Sequence, residues 1–186
     1  MIGLLPETLE VGGREYDIRT DYRDILRIIE AFNDPDLKSE EKLYICLYIL
    51  FCDFEEMPPD DYKEAYTRAL WFIDLGDDPE DKPKPRVMDW EQDEKILFPA
   101  INSVAGYEVR SCDYLHWWTF MGFFMEIKDG TFSQVMSLRL KKAKGKKLEK
   151  WERDFWSSNK RLCVLRTKLT QEEKERREKL EKLLSN

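Results

Sequence analysis

Four carboxylates, Asp89, Glu91, Asp93 and Glu94, fall within the six residues of DWEQDE, and Asp89 and Asp93 would share a helix face. Such a cluster invites a hard-cation reading. Loops that bind these ions, however, need a turning glycine and oxygen ligands spread along the loop. Here the run opens a helix, where acids in the first turn meet the positive end of the backbone dipole. We therefore read it as a helix start and assign no metal ligands. The single histidine, His116, lies between Leu115 and Trp117. A general base needs an orienting partner and a nucleophile, and neither is identifiable; Asp113 or Glu94 would serve only as a hydrogen-bond partner. His116 reads as a hydrogen-bonded core residue. Cys46, Cys52, Cys112 and Cys163 form no CxxC pair, and one histidine cannot complete the usual zinc sets. Their apolar neighbours predict buried, reduced thiols. With no glycine-rich phosphate loop, nucleophile elbow or HExxH present, the expectation is a non-enzymatic protein with no catalytic residues, no metal and no cofactor.

Charge offers a different chemistry. Lys141, Lys142, Lys144, Lys146 and Lys147 form the run KKAKGKK, the candidate partner-binding residues. Either they are a solvated loop that offsets acid elsewhere, or they meet an acidic protein surface. Residues 1–113 hold 13 Lys/Arg against 28 Asp/Glu, a balance of −15, and residues 114–186 hold 18 against 10, or +8. An acidic half of that strength repels a phosphate backbone, so nucleic acid is not expected as a partner. The halves attract one another or attract separate partners.

The elements that position these groups centre on Asp113–Lys128, DYLHWWTFMGFFMEIK. At about 100° per residue its apolar side chains sweep round most of a helix, leaving a narrow strip with Thr119 and Glu126. Such a helix must be covered on several sides. It is shorter than the roughly 20 apolar residues that cross a bilayer, so it is a core helix and no membrane partner is expected. Trp117, Trp118, Phe120 and Phe124 on it are assigned to the core, with Trp151 and Phe155 further along.

Its cladding is predicted from caps and periodicity. Val11 and Tyr16 to Ile18 flank Gly12-Gly13, a hairpin signal. Thr20 or Asp21 caps a helix through Phe32. Ser39 opens a second, apolar throughout from Leu43 to Phe51 and so read as deeply packed. A third runs from Asp60 to Leu75 and stops at Gly76, and a fourth from Met88 to Val104 is bent by Pro99. Asp77–Val87 is a proline-rich charged linker, and Gly106–Ser111 an extended connector. After Asp129-Gly130, Phe132, Val135, Met136, Leu138 and Leu140 alternate with polar residues. The spacing of Leu148, Trp151, Phe155, Leu162, Leu165 and Leu169 predicts one long helix, interrupted at Asn159. Residues 170–186 form a charged arm appended to one mainly helical domain of 1–169. The fold class is mainly α, a multi-helix bundle around the aromatic helix, with a small N-terminal β-hairpin.

The start MIGLLPETLE lacks a basic segment followed by an apolar run, so no secretory signal is expected. Asp89–Phe124, with the DWEQDE start, Ile101-Asn102, Val109-Arg110 and above all Leu115-His116-Trp117-Trp118-Thr119-Phe120, resembles the gene-product-fifteen proteins of siphophages and prophages of Gram-positive bacteria. The opening LPETLEVGGREYDIRTDYRD and the basic RLKKAKGKKL add to the likeness. This resemblance implies a role in tail morphogenesis, as a tail assembly chaperone in the host bacterial cytoplasm or as a structural tail component retained in the virion. Its implied partners are the tape-measure protein and other tail proteins, together with self-association. No catalytic residues come with the family.

Overall fold

The computed structural model describes residues 3–77 and 85–184. Most of the predicted linker 77–87 lies outside those residues. The chain opens with an antiparallel hairpin, β1 (Thr8–Val11) and β2 (Arg14–Asp17), in the register Leu9 opposite Tyr16 and Val11 opposite Arg14. Gly12 and Gly13 make the turn at φ of 59° and 75°, the left-handed geometry that a two-residue hairpin requires and glycine adopts without strain. Leu9, Val11 and Tyr16 are buried. The strand continues to Ile18, which bridges to Phe51, tying the hairpin to the helices.

Eight helices follow as far as Cys163 among the described residues: α1 (Tyr22–Phe32), α2 (Ser39–Leu50), α3 (Tyr62–Ile73), α4 (Glu94–Ala105), α5 (Trp117–Met125), α6 (Thr131–Ala143), α7 (Lys150–Ser158) and α8 (Lys160–Cys163). A ninth, α9 (Gln171–Leu184), ends the described chain. The architecture is thus mainly helical with one small hairpin and a buried aromatic cluster, as the patterning predicts. Asp21 is the cap of α1, its carboxylate accepting the Arg23 and Leu115 amides. That second bond belongs to a short pairing of residues 20–22 with 115–117, closed by Tyr22 N to Leu115 O and Trp117 N to Thr20 O. The entry to α1 therefore fixes the entry to α5.

On α5, Trp117 and Phe120 are fully buried, while Trp118 and Phe124 are part-buried against the same core. Phe120 stacks on Tyr22 at 4.4 Å and on Trp117 at 5.9 Å, and Trp90 reaches Trp117, Phe120 and Phe124 within 6.2 Å. Truncating such a ring typically removes ~3–5 kcal/mol. The helix is nonetheless shorter than the predicted Asp113–Lys128. His116 caps it, so Tyr114 stands outside and exposed, and Met125 at its far end is 62% exposed.

Other elements differ from expectation for physical reasons. The apolar run of α2 is not buried all round: Tyr44 and Tyr48, one turn apart, are exposed and stack on each other at 6.2 Å with Phe54 edge-on to both. Their hydroxyls let them face water while the rings cover the apolar surface beneath. The fourth helix begins at Glu94, not Met88, because residues 90–93 turn around Asp89. The connector before α5 carries a short 3-10 turn at Val109–Ser111, held by Asn102 and Glu108.

The long C-terminal helix is replaced by α7 and α8, broken at Asn159 with φ −121° and ψ 36°. Residues 164–170 then leave the helical conformation. Trp151 is 58% exposed and is not a core residue; Phe155 is part-buried in a small second cluster around Val135, Leu138 and Cys163. Glu152 is the buried residue of that turn. Its carboxylate accepts the Glu149 amide in a capping box, which rotates Trp151 outward.

Candidate functional site

The DWEQDE carboxylates diverge to four different cations. Asp93, with its side chain 1% exposed, grips the Arg139 guanidinium in a bidentate pair at 2.7 and 2.8 Å. Asp89 pairs with Arg86 and also accepts the Gln92 amide. Glu91 meets Lys168 at 3.3 Å and Glu94 meets Arg110 at 3.6 Å. Burial pushes the Asp89 carboxyl up, but the Gln92 amide, Lys168 and Arg86 outweigh it and hold it below the ordinary carboxylate value. Among the described residues no group of acids, histidine or cysteines converges to hold a metal ion.

Arg139 is the functional surprise of this region. It is 3% exposed at the side chain, and all five of its N–H donors find acceptors. Nε donates to Cys163 O and Nη1 to Val87 O and Asp93; Nη2 donates to Asp93 and Leu162 O. One side chain on α6 thereby ties the α4 entry, the segment before it and the end of α8. Gln92 adds two bonds to the chain beyond α8, from its Nε2 to Val164 O and from Arg166 N to its Oε1.

His116 is fully used by the fold. Its Nδ1 accepts the Trp118 amide at 3.0 Å, and Nε2 lies 3.0 Å from Pro6 O. Since a carbonyl only accepts, Nε2 carries the proton, and neither nitrogen is left for a substrate. The next two residues carry the same logic to α3, whose last carbonyls lack helical partners. Trp117 Nε1 donates to Ile73 O and Trp118 Nε1 to Phe72 O, each at 2.9 Å. Gly76, at φ 87°, sits under Trp118 and Trp71, where a Cβ would lie 3.3 Å from the Trp118 ring. The HWW sequence is therefore a joint between helices. Burial holds the Cys46 thiol up at about 12, leaving it inert. Of the four cysteines, Cys46 and Cys163 are buried, Cys112 is partly covered, and Cys52 is exposed, against the expectation of four buried thiols.

The lysines separate into different roles. Helix α6 ends in a Schellman turn: Gly145, at φ 67°, donates to Lys142 O, and Lys146 donates to Lys141 O at 2.9 Å. This reversal brings Lys146 and Lys147 back beside Lys142. Lys141, itself part-exposed, is ion-paired to buried Glu152, and that bond, with the Glu149 amide, lowers the Glu152 carboxyl from its usual value. Lys142 lies over the Trp156 ring, 4.1 Å from its centroid. Lys142, Lys146 and Lys147 line a cleft of about 390 Å³ with Leu148, Arg153, Trp156 and Ser157. Lys144 does not line it. Arg153 and Trp156 join the lysines here without having been expected from the sequence.

A second concavity, about 360 Å³, lies between α1 and the start of α4. Leu26, Ile29, Trp90 and Phe98 give it apolar walls, and Arg27, Glu30, Glu91 and Arg110 are among its charged lining. Among the described residues no helix is long and apolar enough to cross a membrane.

Residues 1–165 match the model of a known family described as Bacteriophage Gp15 protein, so the chain belongs to that family. No curated protein and no solved structure matches it.

Proposed function

We propose, from the premise of membership in this bacteriophage family, that the chain is a non-enzymatic tail-morphogenesis protein, a tail assembly chaperone that holds the tape-measure protein before the tube polymerises around it. The observation that carries the reading is the apolar groove between α1 and α4. An amphipathic helix recognises such a groove through apolar anchors at i, i+3, i+4 and i+7, with charges along its flanks. Leu26, Ile29 and Trp90 are part-buried and reachable from solvent, and the groove presents charges of both signs. A long helical client offers many such stripes. The acidic excess of residues 1–113 keeps the loaded complex soluble.

Co-expression with the tape-measure protein of the same phage or prophage tests this. The expected result is a soluble complex that co-purifies, with this chain absent from purified particles. Leu26→Glu should abolish co-purification while the variant still folds, with a melting temperature a few degrees below the parent because Leu26 also packs on the core. Recovery of the chain in particles at fixed copy number would overturn the chaperone and favour the alternative, a structural tail component retained in the virion.

A further inference from the structure

We propose that the cleft between the end of α6 and the start of α7 is a docking site for an acidic, extended segment of a protein partner. Four cationic side chains, Lys142, Lys146, Lys147 and Arg153, line one concavity, and none of its lining residues is acidic. Clustering of this kind is costly unless something compensates it, because like charges repel. No carboxylate lines the cleft: Glu152 is buried on Lys141, and Glu149 and Asp154 stand outside the lining. The cleft thus carries a net positive field on a chain whose overall charge is −7.

Its shape is built by the backbone. The left-handed Gly145 donates to Lys142 O and the Lys146 amide to Lys141 O, which closes the α6 terminus and turns Lys146 and Lys147 back along the cleft. Arg153 is oriented by its bond to Leu148 O at 2.8 Å, which turns its guanidinium along the cleft wall. Lys142 is held on the Trp156 face. A carboxylate-bearing strand could meet Lys146, Lys147 and Arg153 in succession, while its aliphatic stems lie against Leu148 and Trp156. Carboxylates suit the site better than a nucleic-acid backbone, because the −15 balance of residues 1–113 repels extended polyphosphate whereas a short peptide is confined to the cleft. The proposal does not rest on the chaperone reading.

The test uses the full chain and a dye-labelled oligoglutamate peptide, followed by fluorescence anisotropy, with the Trp156 indole N–H resonance as the reporter of place. The parent should bind with an affinity that falls as salt screens the charges, and the Trp156 resonance should move. Lys146→Glu with Lys147→Glu should weaken binding about tenfold or more, since two weak attractions become repulsions. Arg153→Glu should act in the same direction. Lys144→Glu, on the same turn but outside the cleft, should change affinity less than about twofold. Equal losses from Lys144→Glu and the cleft variants would overturn the site in favour of a diffuse field. No binding by the parent, an unmoved Trp156 resonance, or tighter binding of duplex DNA than of the peptide would also overturn it.

Discussion

Replacing Arg139 by Met keeps most of the side-chain volume and removes every donor. Asp93 would then be a carboxylate with a 1% exposed side chain and only the Asp89 amide for company, and Cys163 O, Leu162 O and Val87 O would lose their partner. Removing one member of a buried pair typically costs ~3–5 kcal/mol, because the other is left uncompensated. For a chain of this size each kcal/mol lowers the melting temperature by about 2–4 °C, so Arg139→Met should melt roughly 6–20 °C below the parent. Arg139→Lys should recover little, since an ammonium has three donors and no planar fork. Asp93→Asn removes the charge that is stranded, so the double variant Asp93→Asn/Arg139→Met should be more stable than the two single losses sum to, by ~0.5–3 kcal/mol. Urea unfolding followed by circular dichroism measures all four. An Arg139→Met protein within about 1 kcal/mol of the parent, or strictly additive losses, would refute the reasoning.

Tyr16 OH is buried with no hydrogen-bond partner among the described residues, so Tyr16→Phe should leave stability unchanged or raise it by up to about 1 kcal/mol in urea unfolding. Glu108 is held at about 2, first by its bond from the Arg110 side chain and then by the Arg110 amide and Asn102, and Asp89 is lowered as well. Groups depressed in the folded state contribute fully above their unfolded values of roughly 4, so stability should be level above about pH 5 and fall as pH drops from there towards 2, read by urea midpoints across that range. Truncation after Thr170 should leave thermal unfolding almost unchanged, because residues 171–176 are exposed and the α9 start is held to Asp36 only at the surface; aggregation of the shortened chain would show that α9 packs on a partner surface.

The parts of the fold that depend on local chemistry were legible. Gly12-Gly13 between short strand candidates specified the hairpin, Thr20-Asp21 the start of α1, of which Asp21 is the cap, and the density of aromatics the core around Trp117 and Phe120. What was not legible depended on partners distant in sequence. Asp93 and Arg139 are 46 residues apart, and acids opening a helix are explained locally, which conceals a buried pair. One signal was available: Arg139 follows Phe132, Val135 and Met136 at helical spacing, placing a cation on the buried face of α6. A cation there demands an acid. The same reasoning corrects α7, where Leu148, Glu152, Phe155 and Trp156 form the inward stripe and Trp151 lies about 100° away from Glu152. Hydrophobicity favoured the tryptophan; the capping box and Lys141 favour the glutamate.

The buried Arg139–Asp93 pair and the part-buried Lys141–Glu152 pair also explain why the basic cleft has a fixed form. Phe132 anchors α6 in the main core, but among the described residues the second cluster has only Val135, Leu138 and Cys163 fully buried, so α7 and α8 rest on few fully buried apolar contacts. Apolar contacts tolerate sliding, whereas the Arg139 fork satisfies its five donors in one placement of α6 against Asp93 and the α8 carbonyls. Lys141 and Glu152 then fix α7 against the end of α6. With both ends of the turn held, Gly145 leaves Lys146 and Lys147 one path back, and that path forms the cleft wall. The family match reaches residue 165, just beyond the Leu162 and Cys163 carbonyls that close the Arg139 network. The matched segment therefore contains every residue needed to hold the cleft in shape, and the arm from Thr170 onward contributes none of them.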